Sequence, residues 1–398
     1  MVGISNGVKL VPEVTMKSFV FYNPTKIVFG KDKTKSIGNY LHGKKCLLLY
    51  GKESIKKNGI YTSVVESLNK NGVMFVEKYG VKSNPILSFV HEAIELARKE
   101  KVDAVLAVGG GSVIDTAKAI ACGFYYQGDV WDYFTDKAKI GDALPLYVVL
   151  TLAATASEMN NGAVITNEKT QQKFNIGAES LYPKISILDP VNTFTVPKTY
   201  TAYGCVDAMV HLLEGYFTQD EIDTSIQDGF VETMVKTLIE STGKIMNKAD
   251  DFNARADFMW AATLALNGLT TAGTGNHGFP NHMIGHSLSA LYDIPHGASL
   301  SIVFPAWLKY HAKEKSQNIS QKIPKFGKAI FGIEDPQKTI ESLKQFFNSI
   351  GAPTRLSQVD IPAADLDQIA GNAVMLAKKW GLTEYTKGVI TDILGLGT

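Results

Sequence analysis

The sequence predicts an α/β domain followed by an all-helical one, and three observations carry that reading. Short apolar, β-branched runs alternate with helical patterns up to about residue 190. Beyond that point strand patterns stop and amphipathic stretches follow one another. Four of the eight histidines, His277, His282, His286 and His296, then fall within twenty residues of the second half.

Residues 1–15, MVGISNGVKLVPEVT, lack the continuous apolar stretch of a signal peptide and read as a leader or an extension. The structured pattern opens at Met16. CLLLYG (46–51) is a buried-strand signature, and ILSFVHEAIELARKEK carries apolar residues at helical spacing. VDAVLAVGGG (102–111), LPLYVVLTL (144–152) and KISILDP (184–190) read as further strands. Strands alternating with helices imply βαβ units and a mostly parallel sheet. TSIQDGFVETMVKTLIESTGKIM, ADFMWAATLALNGL and DLDQIAGNAVMLAKKW then read as helices. The division falls at an α/β domain over 16–193 and an all-helical domain over 194–398. A cleft between two such domains is a common ligand site.

Composition narrows the function classes. The chain has 398 residues with 45% hydrophobic content, ample for a packed core. Its 40 basic and 39 acidic residues leave a net charge of +1 with no long basic run, which argues against nucleic acid and anionic membrane as partners. No apolar run reaches membrane-spanning length. Cys46, Cys122 and Cys205 are far apart and form no CxxC pair, so a reducing cytoplasm is expected.

The segment AVGGGSVIDTAK joins a strand, three glycines and a helix start. Gly109, Gly110 and Gly111 let backbone approach a bulky anion, and Ser112 is placed to cap the helix whose free N–H groups favour phosphate oxygens. The pattern is neither GxGxxG nor a P-loop. A second phosphate candidate is YGKES, where Gly51, Lys52 and Ser54 follow a strand and Glu53 opposes an anion if it points inward.

Asp207 and His211 are four apart in VDAMVHLLE, so on a helix they share a face. His282 and His286 are also four apart, and Pro295 places His296 in a loop or at a helix start. Imidazole and carboxylate are the usual ligands of zinc and iron. Spacing leaves two ligand sets open. One is Asp207, His211, His282 and His286; the other replaces His286 with His296. Glu214 and Glu158 are read as outer or structural carboxylates, and the glycines around His277 predict a loop near the site.

Taken in order, GGGSVIDTAK, LTLAATASEMN, LDP, GCVDAMVHLLE and HMIGHSLSALYDIPHG resemble the iron-containing (group III) alcohol dehydrogenases. The resemblance is strongest to their NADP-dependent butanol dehydrogenase and aldehyde reductase branch, and it covers the chain from Met16. It implies a Rossmann-like dinucleotide-binding α/β domain and an all-α domain for metal and substrate. The family's ligand pattern, Asp-x3-His and then two histidines fourteen apart, selects Asp207, His211, His282 and His296. His286 matches a family histidine near the substrate. The implied cofactor positions are Gly51, Lys52, Ser54, Asn84, Gly109, Gly110, Gly111, Ser112, Asp115, Thr151, Leu152, Ser157, Lys173 and Leu188. At the adenosine ribose, NAD-preferring members carry an aspartate and NADP-preferring relatives show YGGGS. Lys52–Glu53 departs from both, and the lysine favours NADP(H). Ala156 stands where glycine is commoner, so its methyl is expected to narrow the cofactor channel slightly.

The implied reaction is hydride transfer between NADP(H) and a small aldehyde or primary alcohol, with one Fe²⁺ or Zn²⁺ as Lewis acid. His286 or His277 is expected to relay the proton. Family members are commonly dimers or larger, so a homo-oligomer is expected. A lyase of the dehydroquinate synthase kind or a glycerol dehydrogenase-like enzyme is the competing reading. The first would need several Arg or Lys groups, whereas Met283, Ile284, Leu288, Leu291 and Tyr292 make the histidine segment apolar. A nucleotide-binding scaffold with a structural metal is weaker, because closed structural sites are usually cysteine-rich.

Overall fold

The computed structural model describes residues 16–220 and 224–398, so the leader over 1–15 lies outside the described residues. The first half is built from β1 (Lys26–Phe29), β2 (Lys45–Tyr50), α1 (Ser54–Lys57), α2 (Ile60–Lys70), β3 (Met74–Tyr79), α3 (Leu87–Lys99), β4 (Ala104–Gly109), α4 (Gly111–Gly123), α5 (Trp131–Phe134) and β5 (Leu146–Leu150). A hairpin, β6 (Gly162–Asn167) and β7 (Gln172–Gly177), and then β8 (Ile185–Leu188) complete it. Strands β1, β8, β5, β4, β2 and β3 lie in that order in one parallel sheet. All the carboxyl ends therefore share one edge, where open α/β sheets bind ligands.

The continuous apolar runs of β2, β4 and β5 follow from burial on both faces. Leu47, Leu49, Val105 and Ala107 pack on the α3–α4 side. Cys46, Leu48, Leu106 and Val108 alternate with them into a second cluster with Ile37, Ile60, Val64 and Leu68. The expected strands are all present. Strand β3, with its half-polar MFVEKY, and the antiparallel β6–β7 hairpin were not anticipated.

Helices follow: α6 (Lys198–Thr218), α7 (Ser225–Asn247), α8 (Phe252–Leu264), α9 (Pro280–Tyr292), α10 (His296–Lys313), α11 (Gln317–Phe331), α12 (Pro336–Ser349), α13 (Leu366–Lys379) and α14 (Lys387–Gly395). The fold is thus a parallel α/β domain plus a helical one. Among the described residues, no helix is long and apolar enough to cross a membrane.

The centre of the helical half is α6, buried along most of its length from Thr201 to Phe217. Helix α10 crosses it so closely that a Cβ at Gly297 would overlap the Tyr203 backbone. Glycine is required there for the approach of two helices. Gly297→Ala is expected to cost about 1–3 kcal/mol in denaturant unfolding, the range for overpacking a core. It should also displace His296, which opens the same helix.

Candidate active site

Two constructions meet in one cleft of about 620 Å³. The first is the turn from β4 into α4. Gly110 is the N-cap and α4 starts at Gly111, so their positions are set by packing as well as by ligand access. A Cβ on Gly110 would press on Leu152 at 3.1 Å, and one on Gly111 would overlap the Thr155 side chain. The first helical N–H groups, at Gly111 and Ser112, have no acceptor within the helix, and both residues line the cleft. Ser112 does not cap the helix as expected. It lies inside the first turn, and its hydroxyl donates to the Ser83 carbonyl.

The second construction is a cluster on α6, α9 and α10. Asp207 Oδ1 lies 3.6 Å from His211 Nδ1, 3.6 Å from His282 Nε2 and 3.7 Å from His296 Nε2. The imidazoles of His211 and His282 stack with centroids 4.3 Å apart. Asp207 Oδ1, His211 Nδ1 and His282 Nε2 are buried and have no hydrogen-bond partner. Such orphaned atoms are costly unless something else satisfies them. A metal about 2.1 Å from each of four tetrahedral ligands would space them by roughly 3.4 Å. The residues present therefore fit a divalent ion. Atoms of Asp207, His282 and His296 all lie within 4.8 Å of one another. His211 and His286 both sit outside that trio; the His286 ring is 5.2 Å from that of His296 and 5.7 Å from that of Trp380.

Electrostatics agree with the geometry. Burial alone would raise the Asp207 carboxyl, but His211, His282 and the Lys173 ammonium hold it below its ordinary value. Burial pushes His211 down to about 3, and burial with Lys173 nearby lowers His286 and His296 well below theirs. Neutral imidazole is the form that ligates. His282 differs: against the effect of burial, Glu214 and Asp207 raise it to about 9. Glu214, fully buried on α6, accepts from His282 Nδ1 and from the Asn281 backbone N–H at the start of α9. One carboxylate thus caps a helix and turns His282 Nε2 towards Asp207.

Of the implied cofactor positions, Gly111, Ser112, Asp115, Ser157 and Lys173 line the cleft, together with His211, His277, His282, His286 and His296. Gly51, Lys52, Ser54, Gly109, Gly110, Thr151, Leu152 and Leu188 sit at or just beyond the carboxyl ends of β2, β4, β5 and β8, on the same sheet edge. Lys52 and Ser54 are exposed. Asn84 is buried behind the wall. Its side chain accepts from Lys173 Nζ at 3.0 Å and donates to Asp293 Oδ1 at 2.8 Å and the Ile294 carbonyl at 3.2 Å. It ties the sheet domain to the turn before His296. Ala156 does not narrow the channel: it is fully buried and off the cleft wall. Its φ of 54° is left-handed, which explains a preference for glycine at this position. The apolar wall of Phe279, Trp380 and Leu382 was not anticipated, since Trp380 lies 84 residues beyond His296 and shows only at the end of an amphipathic helix.

A parallel sheet with a glycine turn facing a buried His/Asp cluster defines a nucleotide-dependent, metal-fitted class of enzyme. Comparison with known proteins makes this specific. The profile of the iron-containing alcohol dehydrogenases matches residues 24–190, and the C-terminal profile of the Fe-containing alcohol dehydrogenase family matches residues 201–396. The chain belongs to this family, and is an alcohol or aldehyde oxidoreductase. It is 42% identical to a probable NADH-dependent butanol dehydrogenase 1 of Bacillus subtilis over 369 residues, covering 90% of this chain and 94% of that one. It is 36% identical to the NADPH-dependent aldehyde reductase YqhD of Escherichia coli over 357 residues, covering 88% and 91%. The crystal structure of NADH-dependent butanol dehydrogenase A from Thermotoga maritima superposes with a TM-score of 0.91 at 46% identity, covering 96% of this chain and 99% of that one.

The Glu214 contact yields a direct test. Glu214→Gln retains the shape and removes the anion that orients His282. Metal affinity measured by competition with a chelator should fall roughly 10- to 100-fold, the usual effect of losing an outer partner of a ligating histidine. The circular dichroism spectrum should be unchanged.

Proposed function

We propose that this protein transfers hydride between NADP(H) and a small aldehyde or primary alcohol, using one Fe²⁺ or Zn²⁺ held by Asp207, His211, His282 and His296. The observation that carries the reading is the convergence of partnerless, buried Asp207 and histidine atoms in the same cleft as the glycine turn. When bound, the metal supplies Lewis-acid polarisation of the substrate oxygen.

The chain's own groups divide the remaining work. Gly111 and Ser112 present backbone donors to the pyrophosphate, and Lys173 reaches the cleft near the histidines. Phe279, Trp380 and Leu382 exclude water and suit a small uncharged substrate. His286 Nδ1 is buried and unpartnered, so it is the atom we assign to take or return the proton, with His277 at the exposed end of the cleft. Lys173 is the one lysine lining the cleft, and no arginine lines it among the described residues, which disfavours a phosphorylated, carboxylated substrate.

Support for NADP(H) comes from Lys52. Glu53 lies 3.9 Å from Lys56 Nζ, which directs its carboxylate to a neighbouring cation and leaves Lys52 and Ser54 for a 2′-phosphate. The relatives at 40–42% identity carry NADH in their names, and those at 36% and 33% carry NADPH and NADP. We also propose a homodimer in the cytoplasm. The three free cysteines suit a reducing compartment, and the exposed run from Phe19 to Tyr22 suits a subunit contact; sedimentation velocity tests the assembly.

Steady-state kinetics on metal-loaded enzyme with butanal test the cofactor. NADPH should exceed NADH in kcat/KM, and Lys52→Ala should lower the NADPH value by about tenfold, as loss of one charge-assisted contact does, while sparing NADH. Equal use of both cofactors would remove the NADP assignment.

For the metal, Asp207→Ala, His282→Ala and His296→Ala should each lose bound metal and hydride transfer together. His286→Ala should keep the metal and alter the pH profile. If His286→Ala and His277→Ala both leave rate and profile unchanged, the proton role falls.

A further inference from the structure

Beneath the cleft wall lies a cluster of charged groups that the metal and the glycine turn do not explain. Asp115 and Lys118 are three apart on α4, so they share a face. Lys118 is fully buried, and no carboxylate oxygen lies within ion-pairing distance of its ammonium among the described residues. It donates instead to Ser157 Oγ at 2.9 Å, the Asn160 carbonyl at 2.9 Å, Asn160 Oδ1 at 2.9 Å and the Gly162 carbonyl at 2.7 Å. An ammonium has three protons, so four acceptors saturate it. Burial lowers its pKa to about 8, against the pull of Asp115 and Glu158.

Asp115 completes the arrangement. Its Oδ1 accepts from Ser157 Oγ at 2.6 Å and its Oδ2 from the Val164 backbone N–H at 3.0 Å. Every one of these partners lies between Ser157 and Val164. That segment, with Thr155, forms the wall facing the N-terminus of α4. Ala156, buried behind the wall between Thr155 and Ser157, is left-handed, a conformation that needs support from its surroundings. The Ser157 hydroxyl proton is already given to Asp115, so it is not free for a phosphate oxygen.

We infer that Lys118 is a positioning residue for dinucleotide binding: with Asp115 and Ser157 it clamps the wall from Thr155 to Val164 onto α4 and sets the width of the groove that the pyrophosphate enters. Asp115 and Ser157 line the cleft, but their polar groups are committed to this clamp, so their effect on the cofactor runs through the wall they hold. The inference rests on the dinucleotide reading proposed above.

The test compares metal-loaded wild type, Lys118→Met, Ser157→Ala and the double variant. Readouts are NADPH affinity by fluorescence titration, metal content, the KM for butanal at saturating NADPH, and hydrogen–deuterium exchange. Lys118→Met should weaken NADPH by about tenfold or more, and Ser157→Ala by about threefold, since both cut one network. The double variant should bind no more weakly than Lys118→Met alone, because groups in one network are not additive. Exchange should rise across 155–164 and not in α9 or α10, with metal content and butanal KM unchanged. NADPH affinity within twofold of wild type in Lys118→Met would overturn the clamp. So would a double variant that loses the product of the two single effects, since Ser157 would then contact the cofactor on its own. If Lys118→Met does not fold, Ser157→Ala decides: weaker binding with faster exchange in 155–164 supports the clamp, and any other combination overturns it. A wild type that binds neither NADPH nor NADH would instead count against the dinucleotide reading.

Discussion

The constraint on which the helical half depends is the burial of Asp207 Oδ1 with unsatisfied imidazole nitrogens around it. Polar atoms in a protein interior are almost always paired, and leaving several unpaired in one place is costly. Here three helices are bent to that arrangement. Helix α6 supplies Asp207 and His211 one turn apart, α9 supplies His282 and α10 begins with His296. Gly297 permits the α6–α10 approach, and Glu214 both caps α9 and sets the ring orientation of His282. A fold that tolerates such a concentration of unpaired polar atoms is one shaped around a ligand that supplies the missing partner.

The sheet half answers a different demand. Its central strands are apolar because helices cover both faces, and it offers a ligand the carboxyl edge. The cleft joins that edge to the histidine cluster. The Lys173–Asn84–Asp293 chain bonds the two halves just before His296. Hydride transfer requires two bound species at a set separation, and a buried polar link between their holders is a rigid way to set it.

Much of this was legible in the sequence, for physical reasons that differ by element. Strands β2, β4, β5 and β8 show as apolar runs because they are buried on both faces, and α3 and α7 show their period because one face of each is solvated. The hairpin of β6 and β7 was silent: GAVITNEKTQQKFNIG mixes polar and apolar residues because its two strands stand apart from the main sheet and line the cleft. The ligand set was only half legible. Spacing of four places His282 and His286 on one helix face, but a face is about a hundred degrees wide, and His286 turns towards Trp380 while a new helix delivers His296. No one-dimensional spacing contains that change of direction; only the family resemblance put His296 beside His282 in the expected ligand set.

Lys118 shows the same limit from the other side. Nothing in AVGGGSVIDTAK marks it, because most lysines are solvated and a helix in sequence does not show which of its lysines is not. What makes it different is a loop some forty residues later whose carbonyls have nowhere else to go. The two halves of the site thus use opposite electrostatic solutions. In the histidine cluster, the protein leaves buried polar atoms without partners. Under the phosphate turn, it gathers the acceptors of one loop around a single ammonium whose three protons are all used. The first makes a place for a ligand; the second makes a wall that does not move when a ligand arrives, which is what a groove for a flexible dinucleotide needs if binding is to order the cofactor rather than the protein.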